Sequence, residues 1–173
     1  MKLSDLILLE SKPVTFVDGT TFKVLAKSAN TLNSTDTFPS DMSEFIAIDV
    51  SNNMLTDLKG LPDIQVSLNA SNNALRDLHG IPQNLIDCDV SYNPGLMSLD
   101  GIGYVDGTLD ITGTKISTLG DLKKSPPHKI VARELQLNDN LMNEFRDLAR
   151  QFKTSIITSD RILNGELSQI LER

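Results

Sequence analysis

Three aspartates in the middle of the chain, Asp87, Asp89 and Asp110, have the residue type and spacing that come closest to a chemical site. If Asp89 and Asp110 lie on neighbouring strands of one sheet, their carboxylates are about 5 Å apart. That is the separation of the catalytic pair in a retaining glycosidase. The same three carboxylates are also of the type that binds a hard cation such as Ca²⁺. Either site depends on the elements that position these side chains.

Neither kind of chemistry is the favoured interpretation. Carboxylates on an open, solvated face lack the burial that gives a catalytic acid and a catalytic base different pKa values. Ca²⁺ takes about six to eight oxygen ligands, which are difficult to gather on one strand face. His79 and His128 have no metal-ligand spacing around them. We therefore predict no catalytic residue, no metal site and no cofactor, with a hydrolase and a calcium site as the alternatives.

The aspartates belong to a segment that repeats itself about every 20 residues. Each unit has two apolar residues separated by one outward residue, and an asparagine three positions after the second apolar residue. The units begin at Ile48, Leu68, Cys88 and Leu109. The pattern predicts an α/β repeat solenoid with short parallel strands, in which Asn53, Asn73 and Asn93 form a buried structural ladder. Thr114 replaces asparagine in the last unit, so we expect a poorer set of hydrogen bonds there.

Outward residues of the stacked strands should line up in files across a concave face. Short polar side chains suit any crowded, solvent-facing strand, so only the cluster of Asp87, Asp89 and Asp110 is expected to act as a binding hot spot. Tyr92 is the one large side chain near this face and is a candidate aromatic anchor. The predicted partner-binding residues are Asp49, Asn69, Asp87, Asp89, Tyr92 and Asp110.

These motifs resemble the short leucine-rich repeats of bacterial type, as found in secreted effectors of enteric pathogens. The resemblance covers about residues 44–122 and implies a leucine-rich-repeat solenoid with its strands on the concave face. Some of those effectors carry a ubiquitin-ligase domain with a catalytic cysteine. Here the single cysteine, Cys88, occupies the position of a core leucine, so ligase activity is not expected.

The two ends should cover the terminal apolar surfaces of the solenoid. For residues 1–43 we predict a capping helix over 3–10, a β-hairpin over 13–26 and a loop over 27–43. For residues 123–173 we predict one degenerate repeat at Leu135–Asn140 and a helix from about Leu141 to Phe152. A strand at 155–158 and a last helix over 160–172 follow. Asp139 and Asn140 are the candidate N-caps of the first helix.

The negative charge is concentrated in the repeats. The whole chain has a net charge of −7. Residues 41–120 contain 11 acidic and three basic residues, which gives −8, and the remainder is close to neutral. This distribution favours a basic protein partner and argues against nucleic acid. Lys123, Lys124, Lys129 and Arg133 form a modest basic patch that we interpret as solvated surface.

A single cysteine and the lack of a long apolar run indicate a cytoplasmic protein that does not enter a membrane. Residues 1–11 resemble the leader of internal head proteins of T-even-like phages. In those proteins a protease cuts after a triplet of the type Leu8-Leu9-Glu10, before a small residue such as Ser11. The favoured hypothesis is a non-enzymatic protein–protein interaction module. The alternative is a phage-encoded protein, either associated with the virion or interacting with a host protein; the oligomeric state stays open.

Overall fold

The computed structural model describes residues 10–15, 21–26, 45–61, 63–159 and 162–163. Within these ranges the chain forms one β-sheet, one α-helix and a short 3₁₀ helix at Gly120–Lys124. The helix, α1, spans Asp139–Phe152. The strands are β1 (Glu10–Thr15), β2 (Thr21–Ala26), β3 (Phe45–Asp49), β4 (Val66–Asn69), β5 (Asn84–Asp89), β6 (Tyr104–Val105), β7 (Thr108–Asp110), β8 (Lys129–Ala132), β9 (Ser155–Thr158) and β10 (Ile162–Leu163).

The sheet is a parallel-strand solenoid of about four turns, which confirms the predicted repeat architecture. The described strands follow each other in the order β1-β2-β3-β4-β5-β7-β8-β9-β10, and β6 pairs with β5. Pairing is parallel from β2 to β9, while β1 and β10 are antiparallel to their neighbours. Each turn of the chain therefore adds one strand beside the previous one, as a short repeat requires.

The core is a set of apolar files that run across the strands. The first apolar residue of each repeat unit is in register with the next, and all of them are buried. This file reads Ile48, Leu68, Cys88, Leu109 and Ile130, and Ile156 of β9 continues it. Cys88 lies in the core file where the repeat pattern places a leucine. None of the described helices has the length and the apolar character needed to cross a membrane.

The segments that connect consecutive strands of the repeat, which we call returns, form tight turns and not α-helices. In three successive returns an N–H bonds the carbonyl three residues earlier: Leu61 to Leu58, Ile81 to Leu78, and Ile102 to Leu99. The glycine before each donor has a positive φ, between 86° and 89°, which is the backbone state that a type II turn needs. In the fourth return Gly120–Lys124 forms the 3₁₀ helix. The turns and the 3₁₀ helix between the strands agree with the expectation that no α-helix forms there.

At the N-terminal end, β1 and β2 form the antiparallel pair expected for the hairpin, with Thr15 opposite Thr21. The first strand differs from the prediction because it starts earlier, at Glu10, and ends at Thr15. Glu10 therefore does not end a helix over 3–10, and the rest of that predicted helix lies outside the described residues. The predicted loop over 27–43 also lies outside them.

At the C-terminal end, three predictions need correction. The fifth repeat strand is β8, so the assignment to Leu135–Asn140 was wrong. Asn138, rather than Asp139 or Asn140, caps α1, and its side chain accepts a hydrogen bond from the Leu141 N–H at 2.8 Å. Ile162–Leu163 pairs with β9 as β10, which contradicts a helix at those residues. The predicted strand at 155–158 is β9.

Candidate functional site

The outward side chains of four neighbouring strands line one concavity of about 450 Å³. They come from β3, β4, β5 and β7, where the inward residues are buried and the alternating residues point to solvent. We call this surface the concave face. Its outward residues are Ala47, Asp49, Ser67, Asn69, Asp87, Asp89, Thr108 and Asp110. The structure thus brings together all of the predicted partner-binding residues except Tyr92.

The middle file of the concave face consists of Asp49, Asn69, Asp89 and Asp110 in direct register. Each side chain uses Oδ1 to accept the backbone N–H two residues later, at 2.9–3.1 Å. This contact satisfies a donor at the end of each strand, which is a structural reason for aspartate or asparagine there. Within the described part of the chain, no hydrogen bond engages Oδ2 of the three aspartates. All three aspartates line the concavity.

Asp87 owes its position to a bulge in β5. Val66 pairs with Leu85 and Leu68 pairs with Cys88, so two residues of β5 oppose the single Ser67 of β4. The Asp87 carboxylate accepts the Thr108 N–H at 2.7 Å and lies 3.5 Å from the Ser67 hydroxyl. Asp87 therefore replaces a backbone acceptor that the bulge removes from the ladder. It contributes charge to the concave face and also holds β7 in place.

The asparagines of the repeat lie behind this face and are buried. The Asn73 amide donates to three carbonyls, and its Oδ1 accepts the Leu55 N–H at 3.0 Å. Asn93 repeats the arrangement one unit later and accepts the Leu75 N–H at 3.0 Å. Thr114 donates one hydrogen bond, to the Ile111 carbonyl at 2.7 Å. These side chains position the strands and take no part in the exposed surface.

Tyr92 lies in a turn after β5, which ends at Asp89, and it does not line the concavity. We call this turn, together with the equivalent turns of the other units, the rim. The backbone of Tyr92 has φ 51°, and the equivalent Asn52 and Asn72 have φ 55° and 53°. Asparagine adopts this left-handed conformation readily, whereas a bulky residue does so rarely. The side chain is 44% exposed. The turn therefore holds a large, partly exposed aromatic side chain on a backbone conformation that bulky residues rarely adopt.

The predicted basic patch is divided between two surfaces. Lys123 pairs with Glu144 and Lys124 pairs with Asp121, each at 2.6 Å, next to the 3₁₀ helix. Lys129 and Val131 instead continue the files of the concave face on β8, in register with Thr108 and Asp110. Arg133 follows at the end of β8. The sheet surface is thus acidic over the concave face, on β3, β4, β5 and β7, and basic on the neighbouring strand β8.

Sequence reasoning missed two exposed side chains on the same side of the sheet. In β5 and β6, Leu85 and Val105 are paired and buried, so their neighbours Ile86 and Tyr104 point outward and are exposed. The Tyr104 hydroxyl donates to Asp106 at 2.7 Å, and this hydrogen bond raises the pKa of Tyr104. The alternation in Tyr104–Asp106 was the available signal, but this strand lacks the asparagine that marks the other units.

Comparisons with protein-family models, with curated proteins and with solved structures return no match for this chain. Among the described residues, no group of three or more His, Cys, Asp or Glu side chains is placed to hold a metal ion. The thiol of Cys88 is fully buried, and burial, reinforced by Asp89 and Asp87, raises its pKa. A protonated, inaccessible thiol is a poor nucleophile.

Proposed function

We propose that this chain is a leucine-rich-repeat protein that binds a basic protein surface through its concave face and has no catalytic role. Support for the repeat identity comes from the parallel strands, the apolar files and the buried asparagines at about 20-residue spacing. The connections between strands, which are turns and one 3₁₀ helix, are in keeping with short repeats.

The observation that carries the proposal is the one-sided charge of the concave face. Asp49, Asp87, Asp89 and Asp110 from three different strands line the same concavity, and no Lys or Arg is among its lining residues. A concave surface that carries one sign of charge concentrates its field and speeds the association of an oppositely charged partner. Such steering acts on rate and specificity more than on affinity alone.

The charge change at β8 gives the proposed interaction a direction. Lys129 and Arg133 lie one strand beyond Asp110. A partner that places basic residues over β3 to β7 meets repulsion if it extends those residues over β8. The complementary partner is therefore a basic surface that becomes neutral or acidic at one end, and like charges across the interface reject the reversed orientation.

Asparagine substitution tests the proposal without disturbing the strand ends. Asn69 already occupies the middle file and accepts the Ser71 N–H at 3.1 Å, so Asp89→Asn and Asp110→Asn keep the same acceptor while removing charge. The matched control is Asp57→Asn with Asp77→Asn. These two aspartates lie on the returns and accept the N–H two residues later in the same way. Both double variants remove the same total charge.

The probe is an oligolysine peptide, with association measured by stopped-flow fluorescence over a range of salt concentrations. We expect Asp89→Asn/Asp110→Asn to lower the association rate by about tenfold at low salt. The control pair should behave like the unmodified protein, and the difference should shrink as salt screens the field. Equal rates for the two double variants would place the binding surface elsewhere on the molecule.

A further inference from the structure

Two exposed side chains with large apolar surfaces, Ile86 and Tyr104, lie on the outward side of the paired strands β5 and β6. Ile86 is 37% exposed and Tyr104 is 43% exposed. Asn84 pairs with Tyr104 and Leu85 pairs with Val105. The Gly107 N–H donates to the Ile86 carbonyl at 2.7 Å. Ile86 is therefore diagonal to Tyr104 across one strand spacing, on a sheet face that no described element covers.

The backbone around this pair is built for close approach. The bulge in β5 turns both Ile86 and Asp87 outward, which an unbroken alternation would not do. Gly103 lets the start of β6 reach β5, because a Cβ atom at this position would collide with the Gln83 backbone. The bond from the Tyr104 hydroxyl to Asp106 fixes the ring at its outer end. The apolar pair is thus held in a defined geometry.

Carboxylates border the pair on both strands. Asp87 follows Ile86 directly, and Asp106 lies beside Ile86 because its N–H donates to the Leu85 carbonyl at 2.9 Å. An exposed apolar patch with a charged rim is the usual composition of a protein-binding hot spot, where an aromatic or aliphatic anchor supplies most of the energy. The carboxylates around the patch favour basic residues next to the partner's apolar side chain.

We infer that Ile86 and Tyr104 form the docking position for an apolar side chain of the partner that is flanked by basic residues. This inference rests on the proposed function, and it adds the place on the face and the composition of the partner segment. Charge complementarity decides the occupant. A second copy of this chain docking by the same patch would oppose Asp87 and Asp106 to their own counterparts, which is unfavourable.

Two synthetic peptides with the same number of lysines separate the apolar contribution from the charge. One is oligolysine, and the other alternates lysine with leucine. Affinities for both are measured by isothermal titration calorimetry with the unmodified protein, with Ile86→Ala/Tyr104→Ala, and with Met97→Ala/Phe152→Ala as a control. The control removes two exposed apolar side chains away from the concave face. Thermal unfolding checks that each variant folds.

We expect the lysine–leucine peptide to bind the unmodified protein about tenfold more tightly than oligolysine. Ile86→Ala/Tyr104→Ala should remove this margin, and the control pair should keep it. A margin that persists in the Ile86/Tyr104 variant, or that is absent from the unmodified protein, overturns the inference. If oligolysine still binds and responds to Asp89→Asn/Asp110→Asn, the proposed function stands without it. If neither peptide binds, both are overturned.

Sedimentation velocity tests the competing occupant. If a basic partner and not a second copy occupies the patch, the free protein should keep the same sedimentation coefficient when Ile86 and Tyr104 are replaced by alanine. A dimer of the unmodified protein that becomes a monomer in this variant would show that a second copy covers the patch, and would overturn the basic partner.

Discussion

The ring of Tyr92 lies directly against Gly113 in the next repeat unit. A Cβ atom at residue 113 would be 2.7 Å from Cδ1 and 3.0 Å from Cε1 of Tyr92, so only glycine leaves room for the ring in this position. Both residues occupy the same place in their units and both have a left-handed backbone, with φ 51° and 65°. The exposed tyrosine and the glycine beside it therefore form a matched pair on the rim.

The left-handed backbone at Tyr92 predicts a stabilising substitution. Tyr92→Asn should raise the free energy of unfolding by about 1 kcal/mol, because asparagine adopts this conformation at lower cost. Urea unfolding measures the change, and Asn72→Tyr is the reciprocal variant, expected to lower stability. Destabilisation by Tyr92→Asn would mean that packing of the ring on Gly113 outweighs the backbone cost. A stabilised variant that binds its partner more weakly would identify Tyr92 as a contact residue.

The asparagine ladder predicts unequal effects at equivalent positions. Asn93→Ala should lower the free energy of unfolding by about 3 kcal/mol, because the buried Leu75 N–H loses its acceptor and buried carbonyls lose a donor. Thr114→Asn should change it by less than about 1 kcal/mol. The N–H that such an asparagine would bind, that of Leu96, already donates to the Asn93 carbonyl. Chemical denaturation of both variants measures this, and a large gain from Thr114→Asn would contradict it.

The two roles of Asp87 can be separated by substitution. Asp87→Ala removes the acceptor of the Thr108 N–H and should lower the free energy of unfolding by about 1 kcal/mol. Asp87→Asn keeps a carbonyl oxygen at this place and should preserve most of the stability while removing the charge. Thermal unfolding compares the two variants. If both lose the same stability, the charge rather than the hydrogen bond holds the bulge.

Glu144 of α1 makes stability depend on pH. Its carboxylate accepts the Leu119 N–H at 2.7 Å and pairs with Lys123 at 2.6 Å. Partial burial acts to raise the pKa of Glu144, but the bonds from Lys123, Leu119 and Thr118 bring it below its ordinary 4.5. The unfolded chain then binds the proton more readily than the folded one. The stabilisation is complete above pH 4.5 and is lost as pH falls through the lowered pKa.

Denaturation at neutral pH and near pH 3 tests this, because the unmodified protein should lose more stability on acidification than Glu144→Gln does. Asp147→Asn changes an exposed acidic position on the same helix and is the control. This variant should lose as much stability on acidification as the unmodified protein. Identical pH dependence for Glu144→Gln and the unmodified protein would show that Glu144 is not the titrating group.

The sequence was sufficient to predict those parts of the fold in which one residue type has one physical role. Asn73 and Asn93 fix the spacing of the units, so the register of Asp89 with Asp110 could be predicted from the sequence. The strand β8 was missed because Lys129–Ala132 has the apolar alternation without the asparagine. Leu135–Asn140 has the asparagine, but there Asn138 caps the helix instead.

The composition of the binding surface was harder to predict because it depends on strand irregularities. The inward residues Leu85 and Cys88 are three positions apart, and regular alternation does not produce that spacing. The bulge in β5 turns both Ile86 and Asp87 outward, and β5 pairs with β6 before the bulge and with β7 after it. The basic surface beside the concave face could not be predicted either, because it requires Lys129 to lie in β8.

The buried asparagine ladder also affects how cooperatively the solenoid unfolds. Asn73 and Asn93 each bond backbone groups of the preceding unit, so opening one unit removes partners from the next. Among the described residues, the Thr114 side chain bonds only within its own unit. The side-chain coupling between units therefore ends before the unit of β7. The energetics then resemble a one-dimensional array with one weak nearest-neighbour term. Native-state hydrogen exchange would divide into two cooperative blocks that meet between Asn93 and Thr114, in the middle of the proposed docking surface.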